Sequence, residues 1–238
     1  EVLAVGDADF QRKCLGKMGD VAQQGRTVLF VSHNMSSILR LTEESLVLEK
    51  GKVLLRAPSA EAVDFYLNRG LSKLGERFWE EDEVPASAAP FRPLAIRVRA
   101  KDGSVSDTVR SVEPFTIEIE YALSEDLTGL RVGFYLMSTR GEPIFTSFDT
   151  DSSELFKAYP ARAKGTYTSR CVIPANTLNE GRFVLGINAS SYHIRRYFQD
   201  EQALTFSVDA SGAPGTHWPE PRPGGVRPVL DWQIAREE

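Results

Sequence analysis

The chain has 238 residues, enough for one to two domains, and its 42% apolar and 26% charged side chains are those of an ordinary globular protein. Its 28 Lys and Arg against 33 Asp and Glu leave a net charge of −5, which excludes the clustered basic footprint of a nucleic-acid binder. Two distant cysteines, Cys14 and Cys171, exclude a disulfide framework, and the three histidines, His33, His193 and His217, lack metal-ligand spacing, so no metal site is expected.

In chain order, residues 8–25 read as a helix, with Phe10, Cys14, Leu15, Met18, Val21 and Ala22 on one apolar stripe and Gly25 as its stop. Residues 27–31 (TVLFV) read as a short strand of the fully apolar kind that parallel sheets bury. A short helix is expected around 35–41, then a hairpin of 45–48 and 52–56 about Glu49-Lys50-Gly51. Ser59 reads as the N-cap of a last amphipathic helix over 61–68. This is α/β material, and too little of it for a complete α/β domain. Residues 71–92 (including WEEDEVPASAAP) are acidic, then small and Pro-bearing, without periodicity, and read as a solvated connector.

From residue 93 the period becomes two. Leu94-Ile96-Val98, Phe115-Ile117-Ile119-Tyr121, Val132-Phe134-Leu136, Phe183-Leu185-Ile187 and Leu204-Phe206-Val208 alternate with wetter residues, as strands with one buried face do. Residues 144–149 and 167–173 add two more strands, and Asp102-Gly103, Arg140-Gly141-Glu142-Pro143 and Asn179-Glu180-Gly181 supply turns. Seven or eight short strands without helices predict an all-β, immunoglobulin-like antiparallel sandwich over 93–238. Its tail, Gly- and Pro-rich over 212–228, ends in VLDWQI, a lone strand that can pair with a neighbouring chain, with Trp232 in core or dimer packing.

Two segments near the start, EVLAVGDADFQRKC and TVLFVSHN, resemble the later part of the ATPase domain of ABC transporters, in the form found in polysaccharide exporters. The resemblance implies that residues 1–70 are the end of that domain. Glu1 stands at the catalytic carboxylate that orients the hydrolytic water, Asp7 at the D-loop aspartate and His33 at the switch histidine facing the γ-phosphate. In the resembled family the carboxylate closes an apolar strand, and His33 follows the apolar TVLFV here, positions suited to phosphate chemistry in an open α/β sheet. No GxxxxGK[ST] loop occurs, so ATP and Mg2+ would be handled only by a longer parent, and this chain alone is expected to be inactive. The first residue is Glu1 rather than Met, and the chain is expected to begin inside that parent.

The segments RVRAKDG, PFTIEIEYAL, RVGFYLMSTRGEPIFTS and GGVRPVLDWQI resemble the carboxyl-terminal carbohydrate-binding domain of O-antigen exporter ATPases. The resemblance implies recognition of a lipid-linked polysaccharide before export, a membrane permease as partner, a homodimer with exchanged terminal strands, and a peripheral location on the cytoplasmic face of the inner membrane. Sugars are held by aromatic faces and polar side chains. The sugar-contacting candidates are therefore Arg97, Arg99, Glu118, Glu120, Tyr135 and Asn188 on wet strand faces, and Tyr192, His193, Arg195, Arg196 and Trp218 on loops. Two rival readings are a dimerisation or docking module that binds no sugar, and a teichoic acid exporter. No pair of acids stands out for glycoside hydrolysis.

Overall fold

The alternating segments are strands. In the computed structural model, which describes residues 28–32, 35–49, 51–68, 75–139, 141–191, 194–215 and 222–235, the chain divides into two units, Glu1–Arg69 and Gly70–Glu238.

In the first unit, helix α1 (Met35–Leu41) precedes an antiparallel hairpin of β1 (Glu44–Glu49) and β2 (Lys52–Pro58), followed by helix α2 (Ser59–Asn68). Gly51 turns the hairpin at φ +76°, where a Cβ would be strained. Ser59 lies inside α2 rather than capping it. Its hydroxyl is 2.8 Å from those of both Thr42 and Ser45, and this buried cluster ties α2 to β1. Val47, Ala57 and Ala62 form a small core. Of residues 27–31, expected as a buried parallel strand, 28–31 are described and are not in a strand, and Leu29 and Val31 are exposed. No strand pairs with them among the described residues. The helix expected over 8–25 and the residues Glu1, Asp7 and His33 lie outside the described residues.

The second unit is a two-sheet sandwich. Its strands are β3 (Glu76–Phe78), β4 (Phe91–Arg99), β5 (Thr108–Arg110), β6 (Phe115–Leu123), β7 (Leu127–Thr128), β8 (Leu130–Ser138), β9 (Pro143–Phe148), β10 (Ala161–Arg162), β11 (Gly165–Ile173), β12 (Gly181–Ser191) and β13 (Arg195–Asp209). One sheet runs β11-β6-β4-β3 and the other β5-β13-β12-β8-β9. All neighbours are antiparallel except β5, which runs parallel to β13. Immunoglobulin-type sandwiches divide their strands in the same way, with hairpins β8–β9 and β12–β13 together and β4, β6 and β11 opposite. The inward residues of both sheets, among them Ile96, Ile117, Phe134, Leu136, Leu185, Ile187 and Phe206, make one continuous core.

Three expectations are corrected. Most of the segment expected as a solvated connector belongs to the sandwich: β3 pairs with β4, two 3-10 turns follow at Glu81–Glu83 and Ala86–Ala88, and Trp79 is only 4% exposed. The acidic run hid a strand of three residues, too short for its alternation to register. Arg195 and Arg196, read as loop residues, open the long strand β13. Residues 229–234, read as a strand with Trp232 in core or dimer packing, are in no strand of this chain, and Trp232 at 86% exposure is not in its core, which leaves the dimer reading.

Candidate functional site

The described residues among the sugar-contacting candidates fall on the two outer faces of the sandwich. On the four-stranded sheet, register sets Glu118 of β6 directly opposite Arg97 of β4 and Arg170 of β11. Its Oε1 accepts from Arg97 Nη1 at 3.2 Å and from Arg99 Nη2 at 2.8 Å, and its Oε2 from Arg170 Nε at 2.8 Å. Arg97 also donates to Glu120 at 2.9 Å and to Glu76 at 3.1 Å, and lies over the Phe78 ring. The arginines bury Glu118 to 3% exposure. The hydrogen bond from Arg99, followed by that from Arg170, outweighs desolvation and holds the carboxyl down at about 2. Arg97, Arg99 and Glu118 are thus brought together, but as an ion network engaged with itself.

On the five-stranded sheet, Tyr135 and Asn188 meet. Asn188 Nδ2 donates to the Tyr135 hydroxyl at 2.7 Å, and Asn188 Oδ1 accepts from Ser190 Oγ at 3.0 Å. Ser190 Oγ accepts in turn from Arg131 Nε at 3.0 Å. Arg195 lies over Tyr197 and donates to the Ser87 carbonyl, and Arg196 pairs across the sheet with Ser190. Tyr192, His193 and Trp218 lie outside the described residues.

A cleft lies away from both faces. Open and about 480 Å³ in volume, it lies between the sheets, where β11 and β9 form their free edges. Its inner wall is Ile117, Ile119 and Tyr121 of β6 with Val132 and Phe134 of β8. A strap from β9 to β11 crosses its mouth: a 3-10 turn at Asp149–Asp151, a short helix α3 (Ser153–Ala158) capped by Ser152, whose Oγ accepts from Leu155 N at 3.3 Å, and β10.

A buried ion pair fastens the strap. Arg162 Nη2 donates to Asp149 Oδ2 at 2.7 Å, and Arg162 Nη1 donates to the Tyr121 hydroxyl. Asp149 also accepts from Val132 N at 3.1 Å and Ser169 Oγ at 3.2 Å. The pair is therefore hydrogen-bonded on both sides, the condition under which buried charges are tolerated. Tyr121 stacks between Phe91 and Tyr167, with centroids 5.2 and 5.5 Å away. Burial pushes its phenol up, against the opposing Arg162 charge. Leu155, Tyr159 and Val172 stand exposed around the cleft beside Arg170.

This arrangement offers aromatic and apolar walls with a few fixed polar groups, the make-up of a binding cleft. It offers no free acid–base pair. Asp149 is saturated, and Asp151 accepts from Phe148 N at 2.8 Å and Ser147 Oγ at 3.2 Å. The Cys171 thiol in the lining is pushed up by burial, away from the nucleophilic thiolate. Among the described residues, no group of three or more His, Cys, Asp and Glu is placed to hold a metal ion, and no helix is long and apolar enough to cross a membrane.

The sequence reading missed this cleft, although one signal was present. Tyr121 continues the inward stripe Phe115-Ile117-Ile119, and a hydroxyl at a core position requires a polar partner. That partner, Arg162, comes from a segment with no periodicity.

Comparison with known proteins gives short, clear matches. The chain is 41% identical over 66 residues to the ABC transporter protein AbcA of Aeromonas salmonicida, which is 28% of this chain and 21% of that protein. It is 43% identical over 63 residues to the O-antigen export system ATP-binding protein RfbB of Klebsiella pneumoniae (26% and 25%). It is 39% identical over 66 residues to the teichoic acids export ATP-binding protein TagH of Bacillus anthracis (28% and 12%). The matched stretch thus spans a quarter or less of these relatives' own lengths. Among solved structures, the crystal structure of the C-terminal domain of wzt superposes with a TM-score of 0.51 over 72% of this chain and 96% of that one, at 11% identity, a likeness of fold. The family described as Wzt C-terminal domain matches residues 94–218, just over half of the chain, and the chain therefore belongs to the Wzt C-terminal domain family.

Proposed function

We propose that the chain is the carboxyl-terminal part of the ATP-binding subunit of an ABC exporter of a bacterial surface polysaccharide, and that its sandwich binds the lipid-linked glycan in the cleft between the sheets. The observation that carries the binding reading is the cleft itself, about 480 Å³ with Tyr159 and Tyr167 and the pinned pair Asp149 and Arg162 in its lining. Glycans dock their apolar ring faces on aromatic side chains and their hydroxyls on such polar groups. Membership of the family and the export functions named for the relatives support the transporter reading. RfbB and TagH leave two cargoes, O-antigen and teichoic acid.

In the parent protein, ATP and Mg2+ would be bound largely by residues outside this chain. Glu1, Asp7 and His33 would contribute the hydrolytic carboxylate, the D-loop aspartate and the γ-phosphate contact, roles that rest on the resemblance of residues 1–70 alone. The partner would be a membrane permease, with the protein peripheral on the cytoplasmic face of the inner membrane. A homodimer is supported by the exposed apolar tail, where Leu230, Trp232 and Ile234 find no cover in this chain.

Calorimetric titration of the chain with polysaccharide from its own strain, and from an unrelated strain, tests the binding reading. Saturable binding of the native glycan alone is expected, in the millimolar to micromolar range of about 4–8 kcal/mol. Tyr159→Ala should weaken it roughly fivefold, the loss of about 1 kcal/mol of aromatic contact. Equal binding of both glycans, or of neither, would leave the sandwich a docking module.

A further inference from the structure

The tail is treated in two different ways within a few residues. Arg222–Arg227 is fastened to the sandwich, whereas the residues after it are bare. The fastening comes from the loop between β11 and β12. The backbone N of Asn179 donates to the Gly225 carbonyl at 3.1 Å, Arg227 N donates to the Thr177 carbonyl at 3.0 Å, and Leu178 and Val226 form an antiparallel bridge. The side chain of Asn179 adds two more bonds. Its Nδ2 donates to the carbonyls of Arg222, at 2.6 Å, and Gly224, at 3.0 Å. Asn179 is only 2% exposed, and Leu178 beside it is buried in the core. Loop and sandwich are themselves tied together, since Asn176 N donates to the Ser111 carbonyl at 2.6 Å.

The two glycines opposite Asn179 have separate reasons. Gly224 sits at φ +98°, a conformation that L side chains rarely adopt. Gly225 lies against Ile144 and Phe183, and a Cβ there would fall 2.4 Å from Ile144 Cδ1 and 3.2 Å from its Cγ1. Arg227 closes the fastened stretch by donating from Nη2 to the Pro214 carbonyl at 2.6 Å. Pro228 follows, and from there Val229, Leu230, Trp232 and Ile234 are all exposed, Ile234 to 99%.

We infer that Asn179, with Gly224 and Gly225, forms a latch that fixes where the tail leaves the sandwich and so presents residues 229–235 to a second copy of this chain. The inference rests on the homodimer reading above and names the residues that position its contact. A tail tethered only at Asp209 would explore a long, flexible reach, and each association would have to order it. With the latch closed, the reach up to Arg227 is ordered before the partner arrives and only 229–235 remain to be ordered, so association meets a smaller entropic penalty. Asn179 is a positioning residue here: it touches the tail of its own chain and acts on the partner through it.

The test uses the full chain with Asn179→Ala and, separately, Gly225→Val, which attacks the latch from the tail side and leaves Asn179 in place. Hydrogen exchange at the Arg227 amide reads the latch directly, and sedimentation equilibrium reads the dimer. Both variants should lose protection at Arg227 by roughly tenfold, the effect expected of one to two hydrogen bonds. Core amides such as those of Phe134 and Leu185 should keep theirs, and the dimer dissociation constant should rise by a similar factor of about ten. Unchanged protection at Arg227 in a folded variant overturns the latch. Lost protection with an unchanged dissociation constant overturns its role in presenting the strand. A wild-type chain that is monomeric throughout overturns the homodimer reading and with it that role, while the Arg227 amide still decides whether the latch exists. If Asn179→Ala does not fold, Gly225→Val carries the same decision.

Discussion

Replacing Glu118 by Gln removes one charge from the centre of the ion network and leaves the shape intact. Three guanidinium groups, from Arg97, Arg99 and Arg170, then face an amide. In the folded chain the Glu118 carboxyl is held at about 2, against an ordinary value of 4.5. Because the folded value is the lower one, the unfolded chain takes up the proton first on acidification. The contribution of Glu118 is therefore complete above about pH 5 and drains away as pH falls from there towards 2. A gap of this size corresponds to about 3 kcal/mol. The side chain of Arg170 is 62% exposed, so solvent screening places the real figure nearer 2 kcal/mol. Urea unfolding of wild type and Glu118→Gln at pH 7, 5, 4 and 3 measures it. The shift of indole emission, read in a Trp218→Phe background of both proteins, follows the sandwich through buried Trp79, since Trp232 is already in water. Other carboxyls, among them Asp102 and Asp209, which are lowered by hydrogen bonds from Ser104 and Ser211, titrate in both proteins, so the difference between the two curves isolates Glu118. That difference should shrink by about 1.5 kcal/mol between pH 7 and pH 3. Curves that fall in parallel would refute the reasoning.

Three further outcomes follow from the same contacts. Trp79→Ala should lower sandwich stability by about 3–5 kcal/mol in urea unfolding, because a buried indole is lost from its packing on Phe198 and its bond to Asp200; a fragment starting at residue 93 should show the same weakness. Arg162→Met should cost about 3–5 kcal/mol by leaving Asp149 buried and unpaired, and adding Asp149→Asn should restore part of it, a coupling read from a double-mutant cycle. Removing residues 229–235 should convert a dimer to a monomer in light scattering with little change in melting temperature, since those residues bury nothing in their own chain; an intact dimer would remove the tail from the interface.

The strands were legible wherever one face meets the core. The alternation of Phe115, Ile117, Ile119 and Tyr121 specifies β6 because a slip of one residue would turn all four outward. Short or irregular pieces were not legible. Three residues of β3 cannot display a period, and β13 bulges against β12 between Leu185 and Ile187, which breaks the alternation that would have extended it back to Arg195. The outward residues were located correctly and given the wrong surroundings. Arg97, Arg99 and Glu118 do share an outer face, but sequence carries no register, and register is what makes them partners of one another. The cleft was invisible for a related reason. Its charged pair joins Asp149 and Arg162 through a strap whose course no local pattern encodes.

The position of the cleft follows from how the chain treats the two sides of the sandwich. Each sheet has two edges, and an inter-sheet core left open at an edge exposes apolar side chains to water. On one side the segment before β4 closes the gap. Trp79 and Ala88 are buried there, Trp79 meets Phe198 edge-on at 5.8 Å, and its indole donates to Asp200 at 3.2 Å while Arg77 lies over the ring. On the other side no such plug exists among the described residues, and β11 and β9 are bridged by the strap alone. A strap pinned at Asp149 and Arg162 keeps the sheets from collapsing together while leaving room beneath it. Beneath the strap the floor of the cleft is formed by the core residues Ile119, Val132 and Phe134, which are themselves buried. A chain that leaves one edge bridged by a strap alone, and secures that strap with a fully hydrogen-bonded ion pair, has at that edge the room that the proposed glycan reading requires.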